Sequence, residues 1–187
     1  MTRTTYIAAA AVAMLAVCCA AFAAGLASLW LDVPFVPQGN KDGCGAASIA
    51  MVMQYWAKQQ GGTVRPAAQP DQILHALYAE TAHGIFASAM ARYFQSNGYR
   101  AFGFTANWMD IERELHYGRP LIVAIKPDSG PALHYVVVAG LDEPQQVVLV
   151  NDPAQRKLLK EDQSQFTREW KAAGNWALLA VPDASVH

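Results

Sequence analysis

A chain of 187 residues with a formal net charge of −1 and no run of like charges has room for one domain with a substantial core. It lacks the basic face that a nucleic-acid partner requires, so none is expected. Hydrophobic residues make up 53 % and charged residues only 16 %, partly because the N-terminus is nearly free of charge, and no repeat or low-complexity linker divides the chain.

Arg3 is the one charge in the first 27 residues, and an apolar run follows it to Ala24. Ala21-Phe22-Ala23 and Gly25-Leu26-Ala27 both place small residues where a signal peptidase requires them. The run also reaches the roughly 20 residues that span a bilayer. Residues 1–27 are therefore expected to be a cleaved signal peptide or an N-terminal membrane anchor, and 28–187 an exported domain, periplasmic or secreted. Membrane contact is expected only through that segment. A lipid anchor on Cys18 fits poorly, since Val17 precedes it where a small residue is needed.

Residues 31–37 alternate loosely around Pro34 and Pro37 and read as a short edge strand or extended entry. Residues 44–58 contain no proline and carry apolar side chains on nearly every face, the pattern of a helix buried in the domain centre. Gly61-Gly62 ends it. Pro70-Asp71 opens a second helix over 70–79, a third is expected over 86–96 before Asn97-Gly98, and a fourth over 110–117 before Gly118. Strands are expected over 99–104, 120–125, 134–139, 146–150 and 176–181, with a short helix over 163–170. Helices first and strands afterwards imply an α+β domain with an antiparallel sheet.

With Cys18 and Cys19 in the leader, Cys44 is the only thiol of the remaining chain. Exported proteins usually pair their cysteines, so an unpaired one is a candidate nucleophile, with a buried structural cysteine as the alternative. Its context favours the first. Cys44 begins the central helix, where unpaired N–H groups and the macrodipole stabilise a sulfur anion and a developing oxyanion. Gly43 and Gly45 permit close approach, and Gln38, six residues upstream, is a candidate second oxyanion donor.

A thiol nucleophile needs a base. His75 and His116 fall in helical patterns, His83 in a loop, and His187 is the last residue. His134 opens a strand, and the turn-rich segment Leu141-Asp142-Glu143-Pro144-Gln145 joins it to the next. A hairpin centred on Glu143 sets His134 across from Asp152, on the same face, where a carboxylate can orient an imidazole. Asp152 by itself also reads as a turn residue in Asn151-Asp152-Pro153.

Gln38, Asp42-Gly43-Cys44-Gly45-Ala46-Ala47-Ser48, Leu133-His134-Tyr135-Val136-Val137-Val138 and Asn151-Asp152-Pro153-Ala154 together resemble the bacteriocin-processing cysteine peptidases, which cut leader peptides after a double glycine. The resemblance implies a papain-like α+β fold whose N-terminal helical half carries the Cys on its central helix and whose C-terminal half is the sheet. It implies Cys44 as nucleophile, His134 as base, Asp152 as orienting acid and Gln38 as oxyanion donor. A peptide or protein precursor is the implied substrate, and a secretion-system component a candidate partner. The family's usual Asp-Cys-Gly-Pro is here Asp42-Gly43-Cys44-Gly45-Ala46, and the export leader sets the chain apart from the transporter-linked members. No cofactor or metal is expected, because no His-x-x-x-His or Cys-x-x-Cys pair is present. An amidase or transpeptidase using the same three residues, and a non-catalytic papain-like binding or chaperone module, remain as alternative readings.

Overall fold

The computed structural model describes residues 28–128 and 132–183; the expected leader lies outside them. In chain order the elements are β1 (Leu29–Trp30), α1 (Cys44–Gln59), α2 (Pro70–Leu77), α3 (Ala87–Ser96), β2 (Tyr99–Thr105), α4 (Trp108–His116), β3 (Leu121–Ile125), β4 (His134–Asp142), β5 (Val147–Asn151), β6 (Leu159–Asp162), α5 (Gln163–Ala172) and β7 (Trp176–Pro182). The fold is α+β, as expected. The seven strands form one antiparallel sheet in the order β2-β7-β3-β4-β5-β6, with β1 lying against β4 off that path.

Two apolar layers hold the sheet between helices. On one face α1, α2 and α3 pack through Ile49, Met51, Met53, Ile73, Met90 and Phe94 onto Ile122, Val137 and Leu178. On the other, α4 and α5 pack through Ile111, Leu115, Phe166 and Trp170 onto Val123, Val136, Val138 and Val148. The neighbouring residues of β3 and β4 alternate between these layers as the pleat requires. Both faces are covered, so β3 and β4 read as continuous apolar runs and not as alternating ones. α1 is buried from Gly45 to Met53, including Ser48, whose Oγ donates to the Tyr135 carbonyl at 3.3 Å. That bond docks the first turn of α1 onto the start of β4.

Three expectations need correction. Residues 31–37 are not a strand: β1 stops at Trp30, and the two prolines leave the rest extended but unladdered. The missing strand is β6, four residues of which three are charged, an edge strand with no apolar run to announce it. The hairpin register also differs. Glu143–Gln145 forms a 3-10 turn with Gln146 left-handed at φ 53°, so Asp142 pairs with Val147, and a bulge at Ala139 resets the ladder to Val138 with Val150 and Val137 with Asn151. Continuing it sets Val136, not His134, across from Asp152. At the same bulge β1 takes the edge of β4 that β3 has left, against Gly140, where a Cβ would stand 2.5 Å from the Leu29 carbonyl oxygen.

Candidate active site

α1 begins at Cys44, with Gly43 as its N-cap and no side chain capping it, so the N–H groups of its first turn are not taken by a cap. Gly43 is required by proximity, not by backbone conformation. Its φ of −88° suits any residue, but a Cβ there would lie 2.1 Å from the Gln38 carbonyl oxygen. The loop between Gln38 and Cys44 thus folds back on itself, closed by Asn40 N–H to Gln38 O at 2.6 Å and Gly43 N–H to Asn40 O at 3.2 Å. Cys44 is a free thiol, partly accessible.

His134 stands at the first position of β4, at the end of the sheet beside the start of α1. Its Nε2 is 2.7 Å from Asp152 Oδ1. Cys44 and the ring line the same groove, close enough for the sulfur to act on the ring's charge, and with Nε2 engaged by Asp152, Nδ1 is the nitrogen left to serve it. The structure therefore brings three of the four sequence candidates to one place, His134 in contact with Asp152 and sharing a groove with Cys44. It does so despite the register error because an offset of two residues preserves the face: His134 and Val136 point the same way, and Asp152 reaches His134 along the diagonal.

Gln38, the fourth, is placed by its main chain. Its carbonyl is against Gly43, and its N–H donates to the Pro153 carbonyl at 3.0 Å, which ties the candidate donor to the turn that carries Asp152. Its Oε1 is enclosed and has no partner among the described residues.

The electrostatics follow from these contacts. Burial alone would depress the imidazolium, but the hydrogen bond to Asp152 and the attraction of Asp152 and Cys44 override it and hold His134 up at about 9. Burial would raise Asp152; donation by His134, by the Ala154 N–H and by Gln155 holds its carboxyl below the usual range instead. Beside them, burial and the charges of Glu169 and Asp152 push Glu161 up. Burial, with Cys44 nearby, lifts the Tyr135 phenol to about 12.

Sequence reasoning missed the residues that shape the turn after β5. Asn151 is fully buried; its Nδ2 donates to the Val33 carbonyl at 3.2 Å and its Oδ1 accepts from the Leu158 N–H at 2.9 Å, holding Leu158 at a left-handed φ of 49°. Asp152 Oδ1 accepts from the Ala154 N–H at 2.8 Å, an Asx turn, and Oδ2 accepts from Gln155 Nε2 at 2.7 Å. Asp-Pro was the available signal: the turn reading and the functional reading of Asp152 are both true of one side chain.

A groove of about 590 Å³ opens over Cys44 and His134. One wall is the segment around His83, Gly84 and Phe86; the other is Leu133 and Tyr135. Phe86 and Leu133 are each about half exposed, so the groove offers apolar surface on both sides of the sulfur. Among the described residues no group of His, Cys, Asp or Glu side chains is arranged to hold a metal ion, and no helix is long and apolar enough to cross a membrane.

A thiol at the start of a buried helix thus shares a groove with an imidazole that leans on a carboxylate at the end of an antiparallel sheet. The model of the Peptidase_C39 like family matches residues 30–178, and the chain belongs to that family. Solved structures show the same fold. A double glycine motif protease from an AMS/PCAT transporter, crystallised with its leader peptide, is 24 % identical with a TM-score of 0.62 over 82 % of this chain and 94 % of its own. A putative C39-like peptidase from Bacillus anthracis is 17 % identical with a TM-score of 0.61, over 83 % and 98 %. The peptidase domain of Streptococcus ComA, a bifunctional ABC transporter of a quorum-sensing pathway, is 21 % identical with a TM-score of 0.61, over 80 % and 98 %. No curated protein sequence matches the chain.

Proposed function

We propose that this chain is an exported cysteine peptidase that processes a secreted peptide or protein precursor, cutting after a double glycine. The observation that carries the reading is the His134–Asp152 pair, with 2.7 Å between ring and carboxylate, lining one groove with Cys44 at the uncapped start of a buried helix. In the proposed mechanism His134 holds the proton of Cys44 as an ion pair. The sulfur attacks the scissile carbonyl while the first-turn N–H groups of α1 and Gln38 Nε2 stabilise the oxyanion. His134 then protonates the leaving amine, and water, activated by the same imidazole, releases the acyl group. Asp152 fixes the ring and stabilises its charged form.

Two features support the substrate class. The groove accepts an extended chain across the sulfur, with Ala82, Gly84, Ala87 and Ala132 among its lining residues and apolar Phe86 and Leu133 flanking it. The double glycine motif protease that shares the fold was crystallised with a leader peptide. The test is incubation of the protein with synthetic double-glycine leader peptides and mass spectrometry of the fragments. One cut after the second glycine, abolished by Cys44→Ala, is expected. Indifference to replacing either glycine by alanine would overturn the specificity, and processing that survives Cys44→Ala would overturn the mechanism.

A further inference from the structure

The two oxygens of Asp152 are held by different means. Oδ1 serves His134 Nε2 at 2.7 Å and the Ala154 N–H at 2.8 Å, whereas Oδ2 is held by one side chain, Gln155, through Nε2 at 2.7 Å. The turn keeps Gln155 in reach, because its own N–H donates to the Asp152 carbonyl at 2.9 Å while the Asp152 N–H donates to the Arg156 carbonyl at 3.1 Å.

What surrounds that oxygen makes the contact consequential. Behind the ring lies a cavity of about 320 Å³, shared by His134 and Asp152 and lined with carboxylates: Asp128 from the segment after β3, Glu161 from β6 and Glu169 from α5. Its other amide, Gln165, is engaged with Glu169 Oε1 at 3.0 Å. Gln155 is thus the amide that stands between Asp152 and a set of like charges. Without it, Oδ2 loses its donor and is left beside Glu161 and Glu169, whose repulsion turns the carboxylate away from them and out of the plane that His134 needs.

We propose that Gln155 is a positioning residue for the reaction, locking the carboxylate of Asp152 in the plane that holds the His134 imidazolium against Cys44. The proposal rests on the cysteine-peptidase reading for its link to turnover, but its structural half concerns only the His134–Asp152 pair. Since Gln155 sits on an exposed turn, its removal does not open the core.

The experiment compares the full chain with Gln155→Met, which keeps the length and loses the donor, and Gln155→Ala. Three quantities are read: the titration midpoint of His134 by NMR, assigned through His134→Gln; the pH dependence of iodoacetamide alkylation at Cys44, followed by peptide mass spectrometry; and kcat and KM on a double-glycine leader peptide. Both variants are expected to lower the His134 midpoint by about one pH unit, to shift the alkylation profile with it, and to reduce kcat about tenfold with KM unchanged. A midpoint that stays or rises in both variants overturns the proposal, including where the melting temperature falls. If the unmodified protein cuts no leader peptide yet both variants shift His134 and the alkylation profile downward, the positioning role stands and the peptidase reading fails on its own.

Discussion

The two halves of the site are held in place by opposite means. On the nucleophile side, position comes from main chain and from a missing side chain: the loop from Gln38 folds against Gly43 where a Cβ would overlap a carbonyl, and Cys44 follows as the first residue of a helix. On the acid–base side, position comes from side chains. Asn151, Asp152 and Gln155 together hold Val33, Leu158, Ala154 and His134 through a turn that also contains a left-handed leucine. The first arrangement is sensitive to added atoms and the second to removed ones. The hydrogen bonds from Ser48 to Tyr135 and from Gln38 to Pro153 join the two halves.

The largest expected effects come from removing the reacting groups. Cys44→Ala and His134→Ala should each reduce processing of a leader peptide by about 10⁴-fold or more, with an unchanged melting temperature. Asp152→Ala should cost about 10²- to 10⁴-fold in kcat, because the ring loses its orientation and its charged form loses its partner. A near-normal rate in Asp152→Ala would show that the side-chain half is scaffolding and that the main-chain half suffices.

Next is Gly43→Ala. The added methyl must move the Gln38 carbonyl, which is backbone and cannot swing aside, so the loop shifts and the candidate oxyanion donor shifts with it. Activity is expected to fall much more than stability, and Gln38→Ala combined with it should add little further loss. Full additivity of the two would separate Gly43 from Gln38.

The comparison also bears on how much the sequence disclosed. The start of the buried helix at Cys44 was legible to the residue, since an apolar helical run and the glycines beside its first position are local signals. The His134–Asp152 contact was legible only because its error was even. The 3-10 turn and the Ala139 bulge displaced the register by two, which keeps the face; a displacement by one would have put the carboxylate on the other side of the sheet. Asn151 and Gln155 were not legible. Asn151 acts on Val33, more than a hundred positions away, and no periodicity encodes a hydrogen bond of that span. β6 was missed for a related reason: an edge strand rich in charge looks like a loop until its partner is known.

Asn151→Ala tests the side-chain half by stability. It would leave the Val33 carbonyl and the Leu158 N–H without their partner in a buried place, at a cost of about 2–4 kcal/mol in chemical denaturation. Release of Leu158 should also loosen the Asp152 turn, so kcat is expected to fall with stability. A loss of stability with kcat intact would separate the turn's folding role from its role at the ring.

The pH dependence gives a smaller effect with a definite sign. His134 is raised in the folded state, from 6.5 to about 9, so its contribution to stability is fully present below 6.5 and lost as pH rises through about 9. Asp152 is lowered, so its contribution is present above its ordinary value near 3.8 and lost as pH falls below it. The alkaline limb of the processing profile should therefore sit near 9. In Asp152→Ala the acid limb loses its titrating group outright, and the alkaline limb should flatten with it because His134 loses its partner; an alkaline limb that persists would mean that Cys44 dominates the shift of His134.

The smallest expected effect lies where the two halves are joined at the surface. Asp32 accepts from Lys58 at the end of α1 and from Lys157 in the Asp152 turn, each at 2.5 Å, and this pairing draws its carboxyl down to about 2. All three side chains are well exposed to solvent, where water and salt screen the attraction and ordering two lysines offsets much of the gain. Asp32→Asn should accordingly leave kcat unchanged and lower the melting temperature slightly at low ionic strength, with the difference disappearing at high salt. A salt-independent loss of activity would mean that this bridge, like the Gln38–Pro153 bond, transmits position from the turn to the helix.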